Sequence, residues 1–237
     1  MNKHITQNAH FFWSLCLLFL IHPTLHLQAK TKLITSGNNL KKITAYKPTL
    51  FKKVELVFKS EFDKPGKVDR KFIKAIQKSI WNIKDGLLNG NPSSKERQKW
   101  VMTEGDKHHT GAAPSILLKP IPKNLVLRMR IKYSGKAKAV KIDIGHHIHS
   151  IIFHESGTII KVHGKNIHKS KIIFPLNTWG EVAFEFCKGK LFMEVNGVKE
   201  LIENKAFVME EKWQVDIRGI KDGKTFIDWL ECYKGIL

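Results

Sequence analysis

Cysteine is scarce in this chain of 237 residues: Cys16, Cys187 and Cys232 are all there is, too few to staple a scaffold. Acid is scarce as well, with 21 Asp and Glu against 41 Lys and Arg and a net charge of +20. No apolar run approaches the roughly 20 residues of a spanning helix. No solenoid-type repeat recurs, and helices do not alternate with strands, which argues against a parallel sheet. What is present is enough for a core: 42% hydrophobic and 10% aromatic residues exclude a disordered chain, and the length allows one large all-β domain or two small ones.

The first segment reads as a leader rather than as structure. Lys3 and His4 precede an apolar run from Phe11 to Ile21, and a polar stretch ends at Leu27-Gln28-Ala29. Cleavage after Ala29 is expected, leaving an exported chain, periplasmic or extracellular, with no integral membrane span and still at +19. Residues 30–53 are lysine-rich and aperiodic and are expected to form a basic N-terminal arm. The domain is expected over 54–237. Two cysteines remain there, Cys187 and Cys232, either bridged or serving as two small buried hydrophobes.

Within the domain the pattern is short and alternating. Val54 to Phe58 predicts a strand, and Phe72, Ile73 and Ile76 predict one short amphipathic helix over 69–79. Trp81-Asn82-Ile83-Lys84, then Asp85-Gly86, then Leu87-Leu88 predicts a tight hairpin. Further apolar or alternating runs occupy 115–119, 125–133, 138–144, 147–154, 158–163, 170–174, 180–187, 190–196, 212–218 and 225–233. In 180–187, Val182, Phe184 and Phe186 share one face and Glu181 and Glu185 the other, expected to be packed and solvated respectively, before a turn at Lys188-Gly189-Lys190. Two packed antiparallel sheets are the natural solution.

"WNIKDGLLNG" at 81–90, "NTWGEVAFEFCKGKLFMEVNGVKE" at 177–200 and "FIDWLECYKG" at 226–235 resemble the concanavalin A-like lectin/glucanase jelly roll. The nearest version is the exported bacterial 3-keto-disaccharide hydrolase-like domain, and the resemblance runs over roughly 55–237. It implies an all-β antiparallel sandwich and an extracytoplasmic role on saccharides.

Glycoside hydrolysis ordinarily needs two carboxyl groups in one cleft. The related glucanases carry them as E-x-D-x-E or E-x-D-x-x-E on one strand, and that motif is absent here. Asp143 lies beside the densest histidine group, Gly145-His146-His147-Ile148-His149, and Asp143, His147 and His149 are the candidate catalytic residues. On a regular strand His147 and His149 would point the same way and could line a saccharide groove; no metal and no cofactor are expected. Trp100, in the polar stretch 91–110, is the tryptophan expected to be exposed, and with His147 and His149 it makes the candidate ligand-binding set; Trp179 and Trp229 sit at packing positions.

The leading expectation is an exported saccharide-recognition module whose partner is a saccharide, in particular an anionic polysaccharide attracted by the positive charge. No nucleic-acid motif appears, and no nucleic-acid partner is expected. The alternatives are a glycoside-cleaving enzyme resembling the 3-keto-disaccharide hydrolases and a structural or adhesive module.

Overall fold

The structure is a computed structural model that describes residues 46–68, 70–105, 109–209 and 213–237; the expected leader and most of the basic arm lie outside the described residues. Along the chain run β1 (Lys53–Ser60), β2 (Ile73–Ala75), β3 (Ile80–Lys84), β4 (Leu87–Asn91), α1 (Lys95–Glu104), β5 (Ser115–Leu118), β6 (Leu125–Ser134), β7 (Ala139–Ile144), β8 (His149–His154), β9 (Gly157–Val162) and β10 (Lys165–Ser170). Then follow β11 (Gly180–Cys187), β12 (Lys190–Val195), β13 (Val198–Glu203), β14 (Val215–Arg218) and β15 (Lys224–Ile236). They form two antiparallel sheets. Sheet A has the order β13-β12-β11-β6-β15-β4-β3 with β1 also on β15, and sheet B the order β10-β9-β8-β7-β14-β5-β2.

The long β15 ties sheet A together, pairing with β6 on one side and with β4 and then β1 on the other. Both predicted hairpins form. Asp85 and Gly86 take φ values of 54° and 70°, the left-handed pair that a two-residue turn between twisted strands requires. In β11, Val182, Phe184 and Phe186 are buried against sheet B, joining Tyr133, Phe153, Phe174 and Phe207 in one core.

Three expectations are corrected. The helix predicted over 69–79 is not formed among the described residues 70–79: Ile73 is buried in the edge strand β2 opposite Leu118, and Phe72 stacks on Phe58 at 4.7 Å. Gln77 and Lys78, at φ 55° and 57°, then turn the chain out of any helical path. The helix is α1, inside the polar stretch 91–110. It is polar nearly all round, with Val101 its one buried residue, so no apolar stripe announces it. Its signal is local: Ser94 caps it by accepting from the Arg97 N–H at 3.2 Å. The run 170–174 is not a strand; β10 ends at Ser170, and β13 completes the edge of sheet A.

The third correction concerns Glu185. It is fully buried, because Tyr46 to Phe51 fold over that face of sheet A. Its carboxylate accepts from Tyr46 Oη at 2.6 Å, from the Thr49 N–H at 2.7 Å and from the Leu50 N–H at 2.6 Å. Cys187 packs under the same segment, whereas Cys232 belongs to the inter-sheet core. The two thiols lie on opposite faces of sheet A and both are free.

Candidate functional site

The outward face of sheet B carries the densest group of titratable side chains among the sequence candidates. On β7, Ile142 and Ile144 point inward and are buried, so Asp143 between them faces outward by the two-residue period. On β14, Val215 and Ile217 do the same for Asp216. The register sets Asp216 directly opposite Asp143, and Asp143 directly opposite Ser150 of β8. Two carboxylates side by side repel, so this arrangement needs compensating donors.

Asp143 has them. Its Oδ2 lies 2.8 Å from Lys141 Nζ and accepts from His147 Nδ1 at 3.0 Å, while Ser150 Oγ donates to its Oδ1. Burial would raise its pKa, but the hydrogen bonds from Lys141, Ser150 and His147 outweigh that and hold it below the ordinary carboxylate value. Asp216 is less well supplied: Gln214 Nε2 reaches its Oδ1 at 3.3 Å, and its Oδ2 is 3.5 Å from His147 Nδ1 and 3.8 Å from Arg218. Burial therefore prevails, only partly offset by His147 and Arg218, and its pKa is raised. The environments push the two carboxyl pKa values in opposite directions, a division that acid/base sites use.

His147 is the exposed member, its side chain 43% accessible above two carboxylates that are 0% and 4% accessible. Arg218 Nη2 stands 3.3 Å from both ring nitrogens of His147. Equal distances to both nitrogens describe a guanidinium lying against the ring face rather than one in-plane hydrogen bond. The arrangement presents an imidazole held at Nδ1 by a buried carboxylate, with a guanidinium stacked on it. Donor atoms of Asp143, His147 and Asp216 also lie within 4.8 Å of one another, a set able to hold a metal ion.

His149 is not part of this face. Gly145 to Ile148 form a turn with His146 and His147 at φ 41° and 71°, which breaks the two-residue alternation expected from His147 to His149. Gly145, at φ 71°, is required there, since a Cβ would meet the Trp213 ring at 3.0 Å. His149 opens β8 pointing into the core, 1% exposed, against Phe186, Phe207 and Trp213. Its Nδ1 lies 3.0 Å from the Ile144 carbonyl and its Nε2 accepts from the Val208 N–H, a pairing that selects the neutral ring. Trp100 stands on α1, 50% exposed, with the Arg97 guanidinium 4.5 Å from its ring. The structure thus joins Asp143 to His147, puts His149 on the other face of sheet B, and adds Asp216, Arg218, Lys141 and Ser150. Asp216, which was missed, carried the same signal as Asp143: "VDIR" and "KIDI" each set an acid between two buried aliphatics.

No family model and no curated protein sequence matches the chain. Solved structures resemble it in fold. A non-specific endo-β-1,3(4)-glucanase from family GH16 aligns with a TM-score of 0.56 at 13% identity over 80% of this chain and 94% of that one. A GlcNAcα1-4Gal-releasing endo-β-galactosidase from Clostridium perfringens gives 0.56 at 10% identity over 81% and 66%. An endo-acting O-glycanase from the human gut microbiota gives 0.51 at 12% over 75% and 98%. The likeness is one of fold, an antiparallel β-sandwich of the jelly-roll type. Lys141 on β7 and Gly145 just after it stand two positions either side of Asp143, so Asp143 is not the centre of an E-x-D-x-E motif.

Proposed function

We propose that this protein cleaves glycosidic bonds, with His147 as the group that moves the proton. The observation that carries the reading is the exposed His147 ring held by buried Asp143 on an open sheet face. A carboxylate at Nδ1 fixes the tautomer and leaves Nε2 as the nitrogen that can exchange a proton, which is what a general acid/base needs. Asp143 is a positioning residue here, since its shielded side chain touches no substrate. The neighbours in fold are glycan-cleaving proteins, and the narrower resemblance to 3-keto-disaccharide hydrolases belongs to this same reading. An exported location, periplasmic or extracellular, is part of the proposal and rests on residues 1–29.

A panel of oligo- and polysaccharides incubated with residues 30–237, with products read by mass spectrometry, tests it. Release of shorter sugars is expected, falling about 10²-fold or more in His147→Ala. Asp143→Asn is expected to shift the pH profile of the residual activity as well as its size. Product formed by His147→Ala at the native rate overturns the assignment. The second reading, recognition of an anionic glycan without cleavage, is favoured by the basic charge and is what binding without product would mean.

A further inference from the structure

The registers of sheet B give its outer face a composition that the single strands conceal. One row across all seven strands reads Lys74, Leu117, Asp216, Asp143, Ser150, Lys161 and Asn166. The next reads Ser115, Arg218, Lys141, Ile152, Ile159 and Lys169. The acids in these rows, Asp143 and Asp216, are buried at 0% and 3%, whereas the five cations all reach solvent. A ligand lying on the face therefore meets positive charge.

Arg218 and Lys141 face each other directly across β14 and β7, a like-charge pair that costs stability unless something compensates it. Lys141 is satisfied by Asp143 at 2.8 Å. Arg218 is satisfied only in part: Nη2 lies 3.3 Å from the His147 ring nitrogens, but its Nε is buried with no hydrogen-bond partner, and its nearest carboxylate contacts, with Asp143 and Asp216, are both 3.8 Å, beyond hydrogen-bond range. A buried donor left without an acceptor calls for an explanation. A carboxylate or sulfate seated between Arg218 and Lys141 would draw the guanidinium forward and relieve the like-charge contact, and a planar guanidinium suits such a group.

We infer that the ligand of this face is an acidic glycan, bearing carboxylate or sulfate groups, and that Arg218 with Lys141 forms its anion-binding subsite beside His147. Lys161 and Lys169 on one flank and Lys74 on the other extend the positive track over six strand spacings, about 29 Å, enough for several sugar rings. The inference rests on the proposed saccharide role of the face but does not require that the bond be cut.

The test is binding, measured by titration calorimetry on residues 30–237 with polygalacturonate, dextran sulfate, neutral dextran and a single-stranded oligonucleotide, at two salt concentrations. Polygalacturonate or dextran sulfate is expected to bind with strong salt dependence and neutral dextran weakly, and which polyanion binds names the acidic group. Arg218→Gln with Lys141→Gln is expected to cost about tenfold or more in affinity for the polyanion. Because that pair covers two buried carboxylates, Lys161→Gln with Lys169→Gln supplies a variant that touches neither, expected to lower the salt slope by about 1 per cation removed. Lys84→Gln with Lys234→Gln removes the same charge from sheet A and is expected to do less. Equal losses from the sheet A pair, or preference for neutral dextran, overturns the inference, and so does tightest binding to the oligonucleotide. Polyanion binding without product release upholds it while removing the cleavage reading; cleavage of neutral glycans alone does the reverse.

Discussion

Asp143 and Asp216 differ by their donors, and that difference makes opposite predictions for one substitution. Asp143, with a lowered pKa, contributes stability that is present above its unfolded value and lost as pH falls through the folded one. Asp216, with a raised pKa, works the other way: its contribution is present below the unfolded value and lost as pH rises through the folded one. At neutral pH, Asp143→Asn is expected to destabilise by about 1–3 kcal/mol, having left Lys141 without its charged partner. Asp216→Asn is expected to be neutral or stabilising, with its advantage larger at pH 8 than at pH 4. Urea denaturation of both variants at the two pH values checks this, and a loss of stability in both at pH 8 would refute it. The two histidines divide in the same way. Truncating His149 to Ala removes a core ring and two hydrogen bonds and is expected to cost about 2–4 kcal/mol, whereas His147→Ala should stay within about 0.5 kcal/mol. A single melt of each variant separates the packing histidine from the exposed one.

At the level of elements, what could be read ahead of the structure followed from how local its cause is. The β3–β4 and β11–β12 hairpins were legible because a left-handed turn pair and a two-residue alternation lie within a dozen residues. Polar α1 and the three-residue β2 were not, since tertiary packing decides both. Asp143 and His147 were legible as neighbours in sequence, but Asp216 and Arg218 arrive from β14, 73 and 75 positions after Asp143, through strand order alone. Glu185 is the clearest failure: its alternation said solvent, and a segment 136 residues away said otherwise. That segment carries a test. Glu185→Ala leaves the Thr49 and Leu50 N–H groups and the Tyr46 hydroxyl without their acceptor, so residues 46–51 should detach. Limited proteolysis is expected to cut after Lys47 or Lys52 far sooner than in the parent chain, at unchanged cutting elsewhere. Equal cutting rates would mean that Tyr46, Leu50 and Phe51 are held by apolar contact alone.

For the molecule as a whole, the dominant electrostatic fact is the excess of 41 Lys and Arg over 21 Asp and Glu. Five of the acids, Asp143, Glu185, Asp216, Asp228 and Glu231, are buried, where they serve as partners for Lys141, Arg130, Arg128 and backbone donors. Each of these pairs cancels a cation as well as an acid, so the net charge of +20 is carried by the remaining cations, which repel one another. Screening of that repulsion acts over about 30 Å at 10 mM salt and about 8 Å at 150 mM. The internal pairs, being buried, are screened much less. Adding sodium chloride from 10 to 150 mM is therefore expected to raise the Tm, and the same series in sodium sulfate should raise it further at equal ionic strength if a sulfate seats against Arg218 and Lys141. The excess of sulfate over chloride should then vanish in Arg218→Gln while the shared rise remains. A Tm that falls with salt would mean that surface ion pairs outweigh the excess charge, and an excess that survives in Arg218→Gln would mean that sulfate acts through its general exclusion from protein surface rather than at this face.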